Sequence, residues 1–350
     1  MALLFMDGFD HYSAPGGGNT PSKWDGYDQY GAGGGTAAGS GRIGGNAMTV
    51  GNGGKPNGFY RDYPNTTTMI VGVGVYFPSV PSTYSGGGGV NMLMLRDVGT
   101  TQVYLSVNGS NKFVVYRGDG TLLGTGTATL AAATWYYVEL KVLFSDTVGT
   151  VDLRVNGNSD ISETGKDTKQ SANAYCNRVY FGSPGPNDSH YVLIDDHYVC
   201  DTTGAVNNDF LGDVRVETLR PSGAGTTTDW TPSAGSNYQN VDDTTPNGDT
   251  DYNKSKTAGA IDTYAMGDLA TASGTVYGVQ YLEYVRKDNA GSRTAAPVAR
   301  IGGTDYAGTT QSVGDTYAYL REVKETSPAT SSAWTVSEIN GMEYGIKEVA

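Results

Sequence analysis

The sequence is 350 residues long, carries a formal net charge of −13, and gives only 17% of its positions to charged side chains. That balance excludes the clustered Lys and Arg by which a protein displaces counterions from nucleic acid, and it argues equally against anionic membrane surfaces. The length allows two ordinary domains, or one large all-β domain with an appendage. Its 51 glycines, and 25 tyrosines against 8 phenylalanines, point to strands and turns.

The opening run MALLFMDGFDHY has no basic region ahead of its apolar residues. It therefore reads as a first strand and not as a signal peptide, and the expectation is a chain made in a cytoplasm and not exported by the usual route. No stretch approaches the roughly 20 apolar residues of a membrane span. Residues 13–58 are rich in Gly, Asn and Ser, with Trp24, Tyr27, Tyr30, Ile43 and Met48 recurring through them. They read as long loops with short strands between, covering a sandwich edge. Thr67 to Phe77 is a near-continuous apolar run typical of an inner strand, stopped by Pro78 and Pro81. Val90 to Arg96 and Thr101 to Val107 follow as strands.

Lys112 to Gly157 is the most legible stretch. Trp135, Tyr137, Glu139, Lys141 and Leu143 alternate with the wholly apolar Tyr136, Val138, Leu140, Val142 and Phe144. That is period two with one apolar face, the pattern of an antiparallel strand with one wet side. Val151, Leu153 and Val155 repeat it, and Asn156-Gly157 supplies a hairpin turn. The strand W-Y-Y-V-E at Trp135 to Glu139, a short turn, and then G-T-V-D-L-R-V-N-G at Gly149 to Gly157 resemble the laminin-G and concanavalin-like jelly rolls. The resemblance implies an antiparallel β-sandwich. It also implies one of the functions that fold hosts, which are carbohydrate or protein binding and, in a few cases, glucanase activity.

Tyr175 to Phe181 and Tyr191 to Cys200 are two further strands around the loop Gly182 to Ser189, and the second should lie near the N-terminal strand. Cys176 and Cys200 are the only cysteines. They could pair across neighbouring strands, but in a reducing compartment two thiols inside a sheet are the favoured reading. Beyond residue 205 the chain changes character. Gly212 to Leu219 reads as a strand, 221–260 as a long polar loop, and Gly274 to Lys287, Ala296 to Ile301 and Asp315 to Glu325 as strands. Val336 to Met342 reads as a short helix or turn before a final strand. The segments MDGFDHY, NNDFLGDVRVETLRPSG, YGVQYLEYVRKDNAGSRTAAPVARIGGTDYAGTTQS and AWTVSEINGMEYGIK resemble virion proteins of tailed phages over nearly the whole chain. That resemblance implies a structural tail or head accessory component and assigns no residue-level role.

Candidate chemistry is sparse. A concanavalin-type glucanase needs a nucleophile and an acid/base carboxylate about 5 Å apart. Glu338 and Glu343 lack the central Asp of that pattern, and Asp195 and Asp196, being consecutive, should point to opposite faces of a strand. Rim calcium could draw on Asp119, Asp195, Asp196, Asn187-Asp188, Asp242-Asp243 or Asp249 and Asp251, but the glycine and distal Glu of a calcium loop are missing. Arg117-Gly118-Asp119 spells an integrin tripeptide and, with Gly120, reads as a hairpin turn. Trp24, Trp135, Tyr136 and Tyr137 could stack on sugars but read as packing residues. His197, with no partner His or Cys nearby, reads as structural.

The sequence thus predicts an all-β protein. A concanavalin-like antiparallel β-sandwich (jelly roll) at 1–205 precedes a smaller β-rich domain at 206–350. The expected function is a non-enzymatic phage virion structural protein, a capsid decoration, collar or tail accessory, acting by subunit packing through Gly-rich loops and strand edges. Its expected partners are other virion proteins and further copies of itself, in a homo-oligomer. The alternative is a carbohydrate-binding adhesin of a tail or head fibre that grips host-surface glycan. No catalytic, cofactor-binding or metal-ligating residue is nominated, structural calcium stays open, and neither nucleic acid nor membrane insertion is expected. The virion is the expected location.

Overall fold

A computed structural model describes residues 2–12, 23–29, 36–37, 41–50, 57–79, 91–183 and 191–350. Most of the loops expected over 13–58, the glycine run before Val90 and the Asn187-Asp188 pair lie outside the described residues. The chain divides into two compact units, Met1–Val216 and Glu217–Ala350. Residues 206–216, which the sequence reading gave to the second domain, belong to the first.

In chain order the first unit comprises β1 (Leu3–Asp7), β2 (Gly26–Gln29), β3 (Thr36–Ala37), β4 (Ala47–Val50), β5 (Asn57–Thr66), β6 (Thr68–Phe77), β7 (Leu93–Asp97) and β8 (Thr100–Val107). It continues with β9 (Phe113–Arg117), β10 (Leu122–Thr125), β11 (Thr134–Leu143), β12 (Gly149–Val155), β13 (Asn158–Lys166), β14 (Cys176–Ser183) and β15 (Val192–Asp201). These strands build the expected sandwich of two antiparallel sheets. One runs β13-β12-β11-β6-β15-β4-β3, with β1 also on β15, and the other runs β10-β9-β8-β7-β14-β5-β2. The last strand meets the first as anticipated, with Met6 opposite Tyr198.

Period-two alternation sets which side chains enter the space between the sheets. Val71, Val73, Val138, Leu140, Val151 and Leu153 come from one sheet, and Leu95, Val103, Leu105, Val115, Val179 and Phe181 from the other, in a single buried cluster. Fully burying each such side chain is worth about 1.5–3 kcal/mol, so this cluster is what holds the two sheets face to face.

The second unit comprises β16 (Pro221–Thr228), β17 (Thr231–Pro232), β18 (Asn253–Lys254), β19 (Ile261–Met266), β20 (Val279–Val285), β21 (Arg293–Ile301), β22 (Thr304–Ala307), β23 (Gln311–Val313), β24 (Ala318–Lys324), the helix α1 (Val336–Gly341) and β25 (Glu343–Glu348). Its main sheet runs β16-β19-β25-β21-β22, and β20 pairs with β24. The helix is the one expected, and Thr335 caps it by accepting from the Glu338 N–H at 3.1 Å. The 221–260 stretch is more ordered than expected. Its polarity suggested a loop because the side chains that organise it are amides and not hydrocarbons. Asn237 Nδ2 donates to Asp262 Oδ2 (2.8 Å) and Trp230 O (2.8 Å), while Asn253 Nδ2 donates to Asn237 O (2.8 Å) and to Tyr264 Oη (2.9 Å). Asp262, at the centre of this network, is 0% exposed. Replacing Asn237 by Ala leaves that carboxylate short of donors, and we expect a loss of about 1–3 kcal/mol in the second unit, measured by chemical denaturation with tryptophan fluorescence.

Candidate functional site

The strand β6 is buried on both faces. Met69, Val71, Val73, Val75 and Phe77 enter the core. Its other face places Gly72 opposite Glu139 and Gly74 opposite Tyr137 on β11, and the same two glycines oppose Tyr198 and Asp195 on β15. A Cβ at position 72 would overlap the Tyr198 ring. Glycine there lets the tyrosine lie flat across its neighbour strand.

The alternation in β11 predicts a wet face here, and the structure corrects this: Glu139 is 0% and Tyr137 1% exposed. The cover is the segment Asp209 to Val216. Part of it was expected to be a strand, but no strand forms there. Three of its backbone donors are satisfied by side-chain oxygens of the sheet and not by a neighbouring strand. The Leu211 N–H donates to Tyr198 Oη (3.1 Å), Gly212 N–H to Glu139 Oε1 (2.8 Å) and Val216 N–H to Asp196 Oδ1 (2.8 Å). Tyr198 Oη itself donates to Glu139 Oε1 at 2.5 Å. Lys141 pairs with Asp209 at 3.0 Å, and the Arg154 guanidinium stacks on Phe210 at 4.2 Å.

Asp195 and Asp196 overturn a second expectation. The pairing register slips between Asp195 and Tyr198, and Asp196 sits at φ +50°. This bulge re-aims the chain so that consecutive carboxylates meet one residue, Arg42, the first at its backbone and the second at its guanidinium. The Arg42 N–H donates to Asp195 Oδ2 (2.7 Å), Arg42 Nε to Asp196 Oδ2 (2.8 Å), and the Asp196 N–H to Asp195 Oδ1 (2.8 Å). The rest of the Arg42 guanidinium bonds to Asp213 and the Val214 carbonyl of the covering segment, and it lies over the Tyr137 ring at 4.9 Å. Burial and the adjacent Asp196 carboxylate push Asp195 up to about 8. Burial also raises Asp196, against the pull of the Val216 N–H and Arg42. The guanidinium itself serves Asp196 and Asp213, while Asp195 is held only by the backbone N–H groups of Arg42 and Asp196.

Nothing in the sequence marked Arg42, which lies far from the strand it serves. Glu139 was visible as a charge in mid-strand, and the alternating Gly72 and Gly74 in TTMIVGVGVYF were the available sign that something packs against that face.

A second polar cluster lies inside the sandwich. Asp7, fully buried, accepts from the Phe9 N–H (3.0 Å), Tyr12 Oη (2.6 Å) and Trp24 Nε1 (3.0 Å), and pairs with Lys23 at 3.2 Å. Burial alone would raise its pKa, but Lys23, His11 and these donors outweigh burial and hold the carboxyl below its usual range. His197 stacks on Trp24 with ring centroids 5.6 Å apart, and its Nδ1 lies 3.0 Å from Gly72 O. Burial holds it down to about 4.

The remaining sequence candidates separate. Glu338 bonds to Ser327, whereas Glu343 accepts from Thr226 and Thr263, so the two carboxylates serve different partners. Arg117 and Asp119 form an ion pair across a turn closed by the Gly120 N–H on Arg117 O (2.9 Å), with Gly120 at φ +88°. Trp24 and Tyr137 are buried, and Trp135 packs on Tyr76. Cys176 and Cys200 are buried thiols. Among the described residues no group of three His, Cys, Asp or Glu side chains is arranged to hold a metal ion, and no helix is long and apolar enough to cross a membrane.

The outer face of the other sheet carries one continuous cross-strand row: Gly26, Tyr60, Tyr180, Met94, Tyr104, Tyr116 and Leu122. Tyr104 and Tyr116 stack at 5.3 Å, and Arg178 and Arg96 lie over Tyr60 and Tyr180 at 3.7 and 4.7 Å. Its members come from seven strands, so no local motif announces it.

No protein-family model matches the chain, and no curated protein matches it. Solved structures similar to it include a sialidase (12% identity, TM-score 0.32, 44% of this chain and 15% of that one). An alginate lyase is similar at 13% identity and TM-score 0.38, over 57% of this chain and 97% of that one. Trypanosoma rangeli sialidase in complex with sialic acid is similar at 17% identity and TM-score 0.32, over 44% of this chain and 25% of that one. The chain thus spans only a small part of the sialidases it resembles. These similar proteins are enzymes, and the expectation that the chain is not an enzyme is withdrawn on that finding.

Two outcomes follow from the geometry. Gly72→Val drives a side chain into the Tyr198 ring, and the first unit should lose about 1–3 kcal/mol, read as a lowered midpoint in urea. His197, neutral in the fold, has a depressed pKa, so its contribution is intact above its unfolded value of 6.5 and is lost as pH falls through about 4. The unfolding free energy of the first unit should drop by on the order of 3 kcal/mol across that window, and His197→Phe should flatten the slope.

Proposed function

We propose that this chain is a structural component of a tailed-phage virion, packing against other virion proteins and against copies of itself. The observation that carries the reading is the closure of the β11-β6-β15 face by the chain's own residues 209–216. That face is filled from within by backbone and by a bonded Arg-Asp cluster, so the unit meets other molecules through its rims, strand edges and opposite sheet, the features that subunit packing uses. The sequence resemblance to phage virion proteins along nearly the whole chain supports the same reading, as does the low density of charge. Virion appendages follow the symmetry of their attachment sites, which favours a homo-oligomer.

A second reading rests on a different observation. The Tyr104–Tyr116 stack on the outer face of the second sheet is an aromatic pair of the kind sugar rings pack against, which favours host-surface glycan as a partner and an adhesin role. Cryo-electron microscopy of purified particles separates the two. Density for this chain at many symmetry-related head or tail sites is the expected result, and a chain absent from the particle overturns the proposal. Density confined to a distal tip, together with glycan-array binding lost in Tyr104→Ala, moves the assignment to the adhesin.

A further inference from the structure

We propose that the buried Asp7–Lys23 pair is a site of covalent modification, at which Lys23 Nζ and Asp7 Cγ join as an amide that staples the two sheets of the sandwich. The two side chains are anchored on different sheets. Asp7 ends β1, which pairs with β15 in the first sheet. Lys23 stands just ahead of β2, and its carbonyl accepts from Arg61 Nη1 (3.1 Å) on β5 of the second sheet. Lys23 Nζ lies 3.2 Å from Asp7 Oδ1, and the two side chains are only 3% and 0% exposed. Aromatic rings surround them: Phe5 lies 5.7 Å from Nζ, and Trp24 packs on both Phe5 (5.3 Å) and Phe9 (6.1 Å). An ammonium and a carboxylate held in such a place have given up their hydration, and conversion to a neutral amide removes both charges.

The contacts give the two carboxylate oxygens different roles. Oδ2 accepts from Tyr12 Oη (2.6 Å) and Trp24 Nε1 (3.0 Å), donors that hold negative charge on this atom and would hold it equally in a tetrahedral intermediate. Oδ1 faces Lys23 Nζ and accepts from the Phe9 N–H (3.0 Å). A proton passes from the ammonium to Oδ1 along the contact already made, giving an amine and a carboxylic acid that the dry site accommodates without hydration. The Nζ lone pair then bonds to Cγ, and the electrons of the carbonyl move onto Oδ2. As that carbonyl re-forms, the Cγ–Oδ1 bond breaks and Oδ1 leaves as water, taking a second proton from Nζ. The three ammonium hydrogens end as one on the amide and two on water. The opposite charges cancel, and the step needs neither oxidant nor cofactor.

Intact-mass spectrometry of the full chain in denaturant reads the link directly. The folded wild-type protein, once denatured for measurement, should be lighter than its sequence requires by one water, about 18 Da. Lys23 is the first lysine or arginine in the sequence and Arg42 the next. Trypsin should therefore leave a single looped peptide ending at Arg42, because an acylated lysine is not cleaved. Lys23→Arg keeps the positive charge, removes the nucleophile and should restore the full mass. Gly8 follows Asp7, so a succinimide at that bond would also lose one water, but it would survive Lys23→Arg and open at alkaline pH. Tyr12→Phe, which removes one donor from Oδ2, should slow formation of the link in freshly synthesised chain by about a hundredfold. The proposal is overturned if the folded wild-type chain keeps the full mass of its sequence, or if the loss of water persists in Lys23→Arg.

Discussion

Arg42 sits where three demands meet: two consecutive buried carboxylates, one held by its backbone N–H and the other by its guanidinium, the carbonyl and side chain of a covering segment, and the ring of Tyr137. Its reach is possible because β6 offers glycine at 72 and 74, and because a bulge at Asp196 turns the chain of β15. Each of these features makes sense only with the others. The glycines leave room over the strand, Tyr198 and the arginine take that room, and the covering segment 209–216 then finds oxygens where a strand would have found backbone partners. A sheet face that amphipathic alternation assigns to solvent becomes interior.

Both faces of the β6 region are therefore buried, but by different means. Between the sheets, branched aliphatic side chains interdigitate and solvent exclusion supplies the stabilisation. On the opposite side the contacts are hydrogen bonds and ion pairs whose net value depends on every donor and acceptor finding a partner. The inner side tolerates conservative exchange of one aliphatic for another. The outer side does not, because removal of a single member leaves a neighbour charged or unpaired in a place water does not reach.

How far the fold could be read from the sequence follows the same division. The strands over Thr67 to Phe77, Trp135 to Phe144 and Tyr191 to Cys200 were legible because a short apolar run or an apolar alternation is a local signal. The first-to-last strand contact was legible from the architecture they imply. Asp195 and Asp196 were misjudged because the rule that neighbours point apart holds for a regular strand, and a positive φ at a non-glycine residue leaves no mark in composition. The strand expected over Gly212 to Leu219 was misread because Val214, Val216 and Leu219 look like a strand, while what holds the covering segment lies on residues as distant as Arg42 and Glu139. The order within 221–260 was hidden for a related reason: Asn237 and Asn253 read as solvated until their partners are known. The tyrosine row is the extreme case, an arrangement assembled entirely by strand pairing.

The flat seating of Tyr198 on Gly72 also constrains how this sequence can drift. Any relative that acquires a side chain at 72 has to give up the ring at 198, and one that loses the ring while keeping the glycine is left with an unfilled trough across the sheet. The two positions are bound to change in concert, as are Gly74 and Arg42 beside them. In an alignment of true relatives these pairs should mark the lineage more faithfully than the aliphatic core, where one hydrocarbon can stand in for another.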